Sequence, residues 1–209
     1  MQAGLVRASQ LVTPSPARSQ SAVDLLLHGF PGDLRGMILQ VSGSAPITPV
    51  TQILRSAQQA GPAPTAWVSD GTSLPYPPDL VSAGLDLQRL LFVRSQRADL
   101  RLHAVDRLVR GELVSVVAVD LASGEPPDPG VLGRFMHLSA RTGATVVLIT
   151  PGTVGALSPA VRVHLRATAG DDGHGETSGH TTGVRLEVLR SRGPLHGGVL
   201  DARFAPGMC

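Results

Sequence analysis

The sequence predicts an α/β domain: a mostly parallel sheet flanked by helices, extended on its C-terminal side by antiparallel strands. Three observations predict it. Five short segments are apolar throughout, as strands buried on both faces are. Segments of helical period separate them, which calls for parallel strands joined by crossovers. The last three strand-like segments instead alternate apolar and polar residues with no helix between them, the pattern of half-exposed antiparallel strands.

At 209 residues the chain has the length of one domain. Residues 1–20, with Pro14, Pro16 and several Ser and Gln, read as a flexible arm, and residues 21–209 as a single domain. Val23–Leu27 reads as a short helix stopped by Gly29, Pro31 and Gly32. Met37–Val41 is the first apolar strand and runs into a loop at Ser42-Gly43. A helix is expected from Pro49, with Thr48 as its N-cap and Val50, Ile53, Leu54 and Ala57 on one face. Ala66–Val68 and Leu90–Val93 are the next strands, with a short helix near Asp79–Ser82 between them. Residues 96–110 form an amphipathic helix that turns Leu102, Val105, Leu108 and Val109 to the core. Ser115–Asp120 is an apolar strand ending in an acid, a helix runs to about Ala140, and Ala144–Ile149 is the fifth strand. Val161–Ala167, Val184–Leu189 and Gly197–Phe204 are the alternating strands, and 170–183 is expected to be a mobile hairpin loop.

All 18 basic residues other than histidine are arginine, so the chain supplies no Schiff-base or phosphate-binding lysine. Its one cysteine, Cys209, allows no intrachain disulfide and no cysteine-rich metal site. No apolar run reaches the length of a membrane span, and the N-terminus lacks an apolar signal core, so a cytoplasmic protein is expected. The formal net charge of +2 does not mark a general polyanion binder. The segment 171–180 mixes histidines with carboxylates, yet its glycines read as a loop tip, and no metal is expected there. His28, His103, His137, His164 and His196 are scattered in sequence and suggest no catalytic triad.

Strand, glycine-containing loop, helix and a later strand ending in Asp120 make the skeleton of a nucleoside-triphosphatase core. Laid on the phosphate-loop pattern G-x-x-x-x-G-K-[ST], Gly43 matches the first glycine. Thr48, Pro49 and Val50 stand where the second glycine, the lysine and the metal-binding hydroxyl belong, with Thr51 one place late. Pro46 and Pro49 each remove an N–H donor, and a phosphate cradle needs successive donors and a cation. No cofactor is therefore expected.

The segment Leu27-His28-Gly29-Phe30-Pro31-Gly32-Asp33-Leu34-Arg35-Gly36 resembles the lead-in of the RecA recombinase core. Ser82–Leu91 resembles a second RecA segment, and Val161–Arg166 with Val184–Gly193 its closing strands. The likeness runs over roughly residues 20–205. A short RecA-like core without the C-terminal domain or the long DNA-binding loops resembles the ImuA family, accessory proteins of bacterial damage-induced mutagenesis. The resemblance implies a pseudo-ATPase rather than an enzyme, acting in translesion synthesis through protein contacts. The partners it implies are error-prone polymerase components, an ImuB-like Y-family homologue among them, with RecA as a second partner to be modulated or inhibited. On RecA's pattern Asp120 is a vestigial metal-associated acid, and Asp70 is the carboxylate nearest the position of the catalytic glutamate. Asp70-Gly71 is also a turn signal. The segment 121–129 is short and acidic and 151–160 has no basic residue, so DNA contact is expected to be weak or absent, and no membrane partner is expected.

Two alternatives stand beside this reading. A SulA-like inhibitor of cell division shares a lysine-less, RecA-like sheet. A residual nucleotide-binding switch would use Asp120 and Thr51. Candidate partner surfaces are the apolar spots of the arm, Leu5, Val6, Leu11 and Val12, and the arginines Arg94, Arg97, Arg101, Arg107 and Arg110. With Arg89, these put a third of the arginines within 22 residues, though Asp99, Asp106 and Glu112 interleave as ion-pair partners would.

Overall fold

A computed structural model describes residues 34–72, 74–121, 126–152, 156–169, 183–192 and 199–203. The arm 1–20, the helix expected over 23–27, nearly all of the loop 170–183 and Cys209 lie outside these residues. Among these residues eight strands form one sheet: β1 (Ile38–Gly43), β2 (Thr65–Ser69), β3 (Leu90–Arg94), β4 (Val116–Asp120), β5 (Thr145–Thr150), β6 (Val161–Ala169), β7 (Gly183–Ser191) and β8 (Val199–Arg203). Their spatial order is β3-β2-β4-β5-β1-β6-β7-β8. The six strands from β3 to β6 pair in parallel. β7 runs antiparallel to β6, and β8 to β7. This is the α/β class, with the mostly parallel sheet and antiparallel C-terminal strands of a RecA-like core.

The helices are α1 (Ile47–Ala60), α2 (Pro77–Ser82), α3 (Ala98–Arg110) and α4 (Pro129–Thr142). Successive strand residues point to opposite faces, and β1 shows the division. Leu39 and Val41 join Val50, Ile53 and Leu54 of α1 and Trp67 of β2 in one core. Ile38 joins Val105 and Val109 of α3 and Leu132 and Phe135 of α4 in the other. Helices thus cover both faces of the interior of the parallel part, as its predominantly apolar strands require.

The second face changes character past β1. Gln40 and Ser42 point to it from β1, paired in register with His164 and Arg166 of β6, which pair in turn with Arg190 and Glu187 of β7. Val163, Leu165 and Ala167 of β6 and Val184, Leu186 and Val188 of β7 go to the α1 side. The alternation read from the sequence is therefore real, with its apolar half under α1.

Helix α1 begins two residues before the expected start. Pro46 is its cap residue and makes no side-chain cap hydrogen bond. The first helical bond runs from Val50 N–H to Pro46 C=O at 3.3 Å. Pro49 consequently occupies the third helical position, where a missing N–H removes no intrahelical bond. Thr48 lies inside the first turn and does not cap it. Asp128 caps α4, its Oδ1 accepting from Gly130 N–H at 2.6 Å. Among the described residues, no helix is long and apolar enough to cross a membrane, and no three His, Cys, Asp or Glu side chains are grouped to hold a metal ion.

Candidate functional site

The loop between β1 and α1 is fastened to β6. Gly43 has a φ of 117° and faces Ala167 across the parallel pair. A Cβ at Gly43 would overlap the Ala167 carbonyl oxygen and stand 2.8 Å from the carbonyl carbon. Ala45 N–H donates to that same oxygen at 3.2 Å. Ser44 Oγ accepts from Ala169 N–H at 3.3 Å. From the β5 side Gly152 closes in: a Cβ there would lie 3.2 Å from Gly43 Cα.

A phosphate cradle points several backbone N–H groups at one centre. In this loop Ala45 N–H is committed to β6 and Val50 N–H to the helix, while Pro46 and Pro49 have none. The side chain at the hydroxyl position, Val50, is fully buried against the sheet, and Thr51 is only 2% exposed. The loop keeps its place between a strand end and a helix start, but two of its N–H donors are spent on the protein, two positions have none, and the nearby Thr51 is buried.

The two carboxylates carried over from the RecA pattern are also held internally. Asp120 ends β4 and is 4% exposed. In the sheet order β5 separates β4 from β1, so their strand axes are about 10 Å apart. Asp70 forms the turn that Asp-Gly signals. Its Oδ1 accepts from Thr72 N–H at 2.8 Å and from the Thr72 hydroxyl at 2.7 Å, and Gly71 takes a φ of 95°.

Register creates a polar cluster that the sequence did not reveal. Ser42 Oγ lies 2.9 Å from His164 Nε2, so His164 does have a serine partner. Gln40 Nε2 donates to Thr150 Oγ1 at 3.0 Å, and Gln40 Oε1 accepts from Leu157 N–H at 3.0 Å. On the β7 side Arg166 pairs with Glu187 at 3.2 Å, and Arg190 donates to Ser158 C=O at 3.4 Å. Ser42 is fully buried and His164 only 1% exposed, so the pair ties β1 to β6 and offers a substrate no nucleophile.

Burial, and then the positive charges of Arg166 and Arg190, hold the His164 pKa below the usual imidazole value. The unfolded chain therefore binds a proton that the folded state refuses as pH falls through the ordinary histidine range. This contribution to stability is fully present above that range and is lost below it. Tm is expected to fall between pH 7.5 and pH 5.5, and His164→Gln to remove part of the fall. An unchanged fall in the variant would show that other groups carry it.

The arginines of residues 94–110 do not form one patch. Arg101 is a correction to the surface expected for it: it is 1% exposed, and its Nη1 donates to Ser95 C=O at 2.9 Å and Gln96 C=O at 3.1 Å. It lies on the buried side of α3 with Val105 and Val109. Arg97 and Asp99 form an exposed pair at 2.6 Å that raises the pKa of the arginine and lowers that of the aspartate. Arg94 lies over Gly71, with Nε directed to Asp70 C=O at 3.4 Å. Arg107 reaches His103 at 3.3 Å, and Arg89 donates to the carbonyls of Gln58, Gly61 and Ala63, closing the end of α1.

Only Arg110 joins a wider cationic surface, and its neighbours come from α4. Asp106, 4% exposed, accepts a hydrogen bond from Arg110 on Oδ2 at 2.8 Å and forms an ion pair with Arg134, whose Nε lies 3.0 Å from Oδ1. Arg134, His137 and Arg141 recur at helical spacing on α4 and line a groove with Arg110. That spacing was the available signal. Leu5, Val6, Leu11 and Val12 lie outside the described residues. No protein-family model matches this chain, and no curated protein sequence matches it.

Proposed function

We propose that this chain is a non-catalytic RecA-like adaptor of damage-induced translesion synthesis, acting through contacts with an ImuB-like Y-family polymerase homologue and with RecA. The observation that carries the non-catalytic part is the fastened loop. With Ala45 N–H on Ala167 C=O, prolines at 46 and 49 and Val50 in the core, the strand–loop–helix unit lacks the unbroken run of donors and the cation that a triphosphate needs. The translesion assignment and the partners come from the sequence resemblance. Protein contacts also suit the edge strand β3, where Leu91 and Phe92 are each 43% exposed.

Calorimetric titration with ATP and magnesium ions is expected to give no saturable heat, and saturable binding would revive the nucleotide switch. Affinity capture from cells after DNA damage is expected to recover polymerase components and RecA. Deletion of residues 1–18 should remove RecA from the captured set, because the apolar spots of the arm are the contact proposed for it. Capture without either partner, together with filamentous growth on overexpression, would move the assignment to a SulA-like inhibitor of division.

A further inference from the structure

We infer that the groove between the C-terminal end of α3 and the exposed side of α4 is a docking site for an acidic, amphipathic segment of a partner protein. The groove encloses about 700 Å³. Arg110, Arg134 and Arg141 form its cationic lining with His137 beside them, while Gly133 and Leu138 give it an apolar floor. From Gly130 to Arg141 the lining follows α4 for about 16 Å at 1.5 Å per residue, three turns of helix.

The distribution of charge points to a carboxylate-bearing occupant. The chain as a whole is nearly balanced, 18 arginines against 16 acids, so this concentration is local. One carboxylate, Asp106, already sits beneath Arg110 and Arg134 and holds them in place. Both arginine side chains remain more than half exposed, with Arg110 at 57% and Arg134 at 53%. Arg141 and His137 have no hydrogen-bond or ion-pair partner among the described residues. Guanidinium groups fixed in this way are suited to paired N–H···O bonds with carboxylates.

Gly133 supplies an independent argument. It stands inside α4, where glycine destabilises a helix relative to alanine. A Cβ at this position would meet nothing within 4 Å, and its backbone is not in the left-handed region. The fold itself therefore does not require glycine there. A partner backbone approaching the groove floor would. Nucleic acid fits less well, because no Phe, Tyr or Trp lines the groove to stack a base.

The inference does not depend on the translesion reading, and its test uses neither proposed partner. A displayed library of random peptides of about 16 residues, roughly 24 Å if helical, is selected on the full-length protein. Selected peptides are then synthesised and titrated by fluorescence anisotropy. The expected winners carry Asp or Glu three or four positions apart, with apolar residues on the adjoining face. Arg141→Glu is expected to weaken them roughly tenfold or more, the loss of one charge-assisted contact. Gly133→Ala is expected to weaken them severalfold while leaving Tm unchanged or higher, an outcome that separates lost docking from lost folding. Winners without acidic enrichment, or equal binding to wild type and Arg141→Glu, would overturn the proposal. So would a short DNA duplex that binds with the same dependence on Arg141 and displaces the peptides.

Discussion

Gly43→Ala is expected to remove about 3–5 kcal/mol of stability, a large part of the roughly 5–15 kcal/mol that holds a domain folded. Two costs add at this position. A φ of 117° lies where side chains are rarely accommodated, and the new methyl would overlap the Ala167 carbonyl on the neighbouring strand. That carbonyl cannot swing aside without releasing Ala45 N–H and disturbing the β1–β6 register. Urea denaturation reports the loss directly, since the sole tryptophan, Trp67, is 1% exposed and its emission should shift to the red on unfolding. Gly61→Ala is the control, because its backbone is extended and a Cβ there meets nothing within 4 Å. Equal urea midpoints for the two variants would contradict the close approach.

The second large effect concerns Asp106. Removing both cations, as in Arg110→Met with Arg134→Met, leaves a buried carboxylate unpaired and is expected to cost about 3–5 kcal/mol. Each single replacement is expected to cost about 1 kcal/mol or less, since the other arginine still neutralises Asp106 and exposed ion pairs contribute little. Asp106→Asn should also cost less than the double replacement. The arginines are more than half exposed and can turn to water, whereas Asp106 is 4% exposed and cannot. The signature is a double-mutant cycle far from additivity. Additive small losses would show that Asp106 is hydrated and that the bridge between α3 and α4 carries no weight.

The strands were legible because their chemistry is local. Val116–Val119 is buried as its apolar continuity predicts, whereas Leu90–Val93, equally apolar and expected to be buried on both faces, is the edge strand and leaves Leu91 and Phe92 each 43% exposed. Helix α1 was legible in its apolar face but not in its first residue, because proline is compatible with any position of a first turn. Arg101 departs from the surface expected of a charged side chain because its position on α3 decides its burial. Spacing puts it with Val105 and Val109, and the loop carbonyls of Ser95 and Gln96 make that burial tolerable. The Ser42–His164 bond depends on two strands meeting in a particular register across 122 positions, which no local pattern encodes. The groove on α4 was half legible: the helical spacing of Arg134, His137 and Arg141 is present in the sequence, but their union with Arg110 needs the packing of two helices. Of the loop after β1, the missing chemistry was visible at Pro46 and Pro49, while its attachment to β6 was not.

The placement of β1 has a consequence for how the chain comes together. Among the described residues it is the earliest strand, yet it lies in the interior of the sheet, between β5 and β6. The partners that Gln40 and Ser42 bond across the sheet follow them by 110 and 122 positions. During synthesis both hydrogen-bonding edges of β1 stay vacant until more than half the polypeptide has emerged. Loop closure over such separations comes before the contacts that reward it, and refolding from urea should be slow beside helical bundles of similar size. An apolar strand with two open edges is also what a growing chain exposes to aggregation. The same arrangement that makes β1 the seam of the finished sheet leaves it the most vulnerable segment of the nascent one.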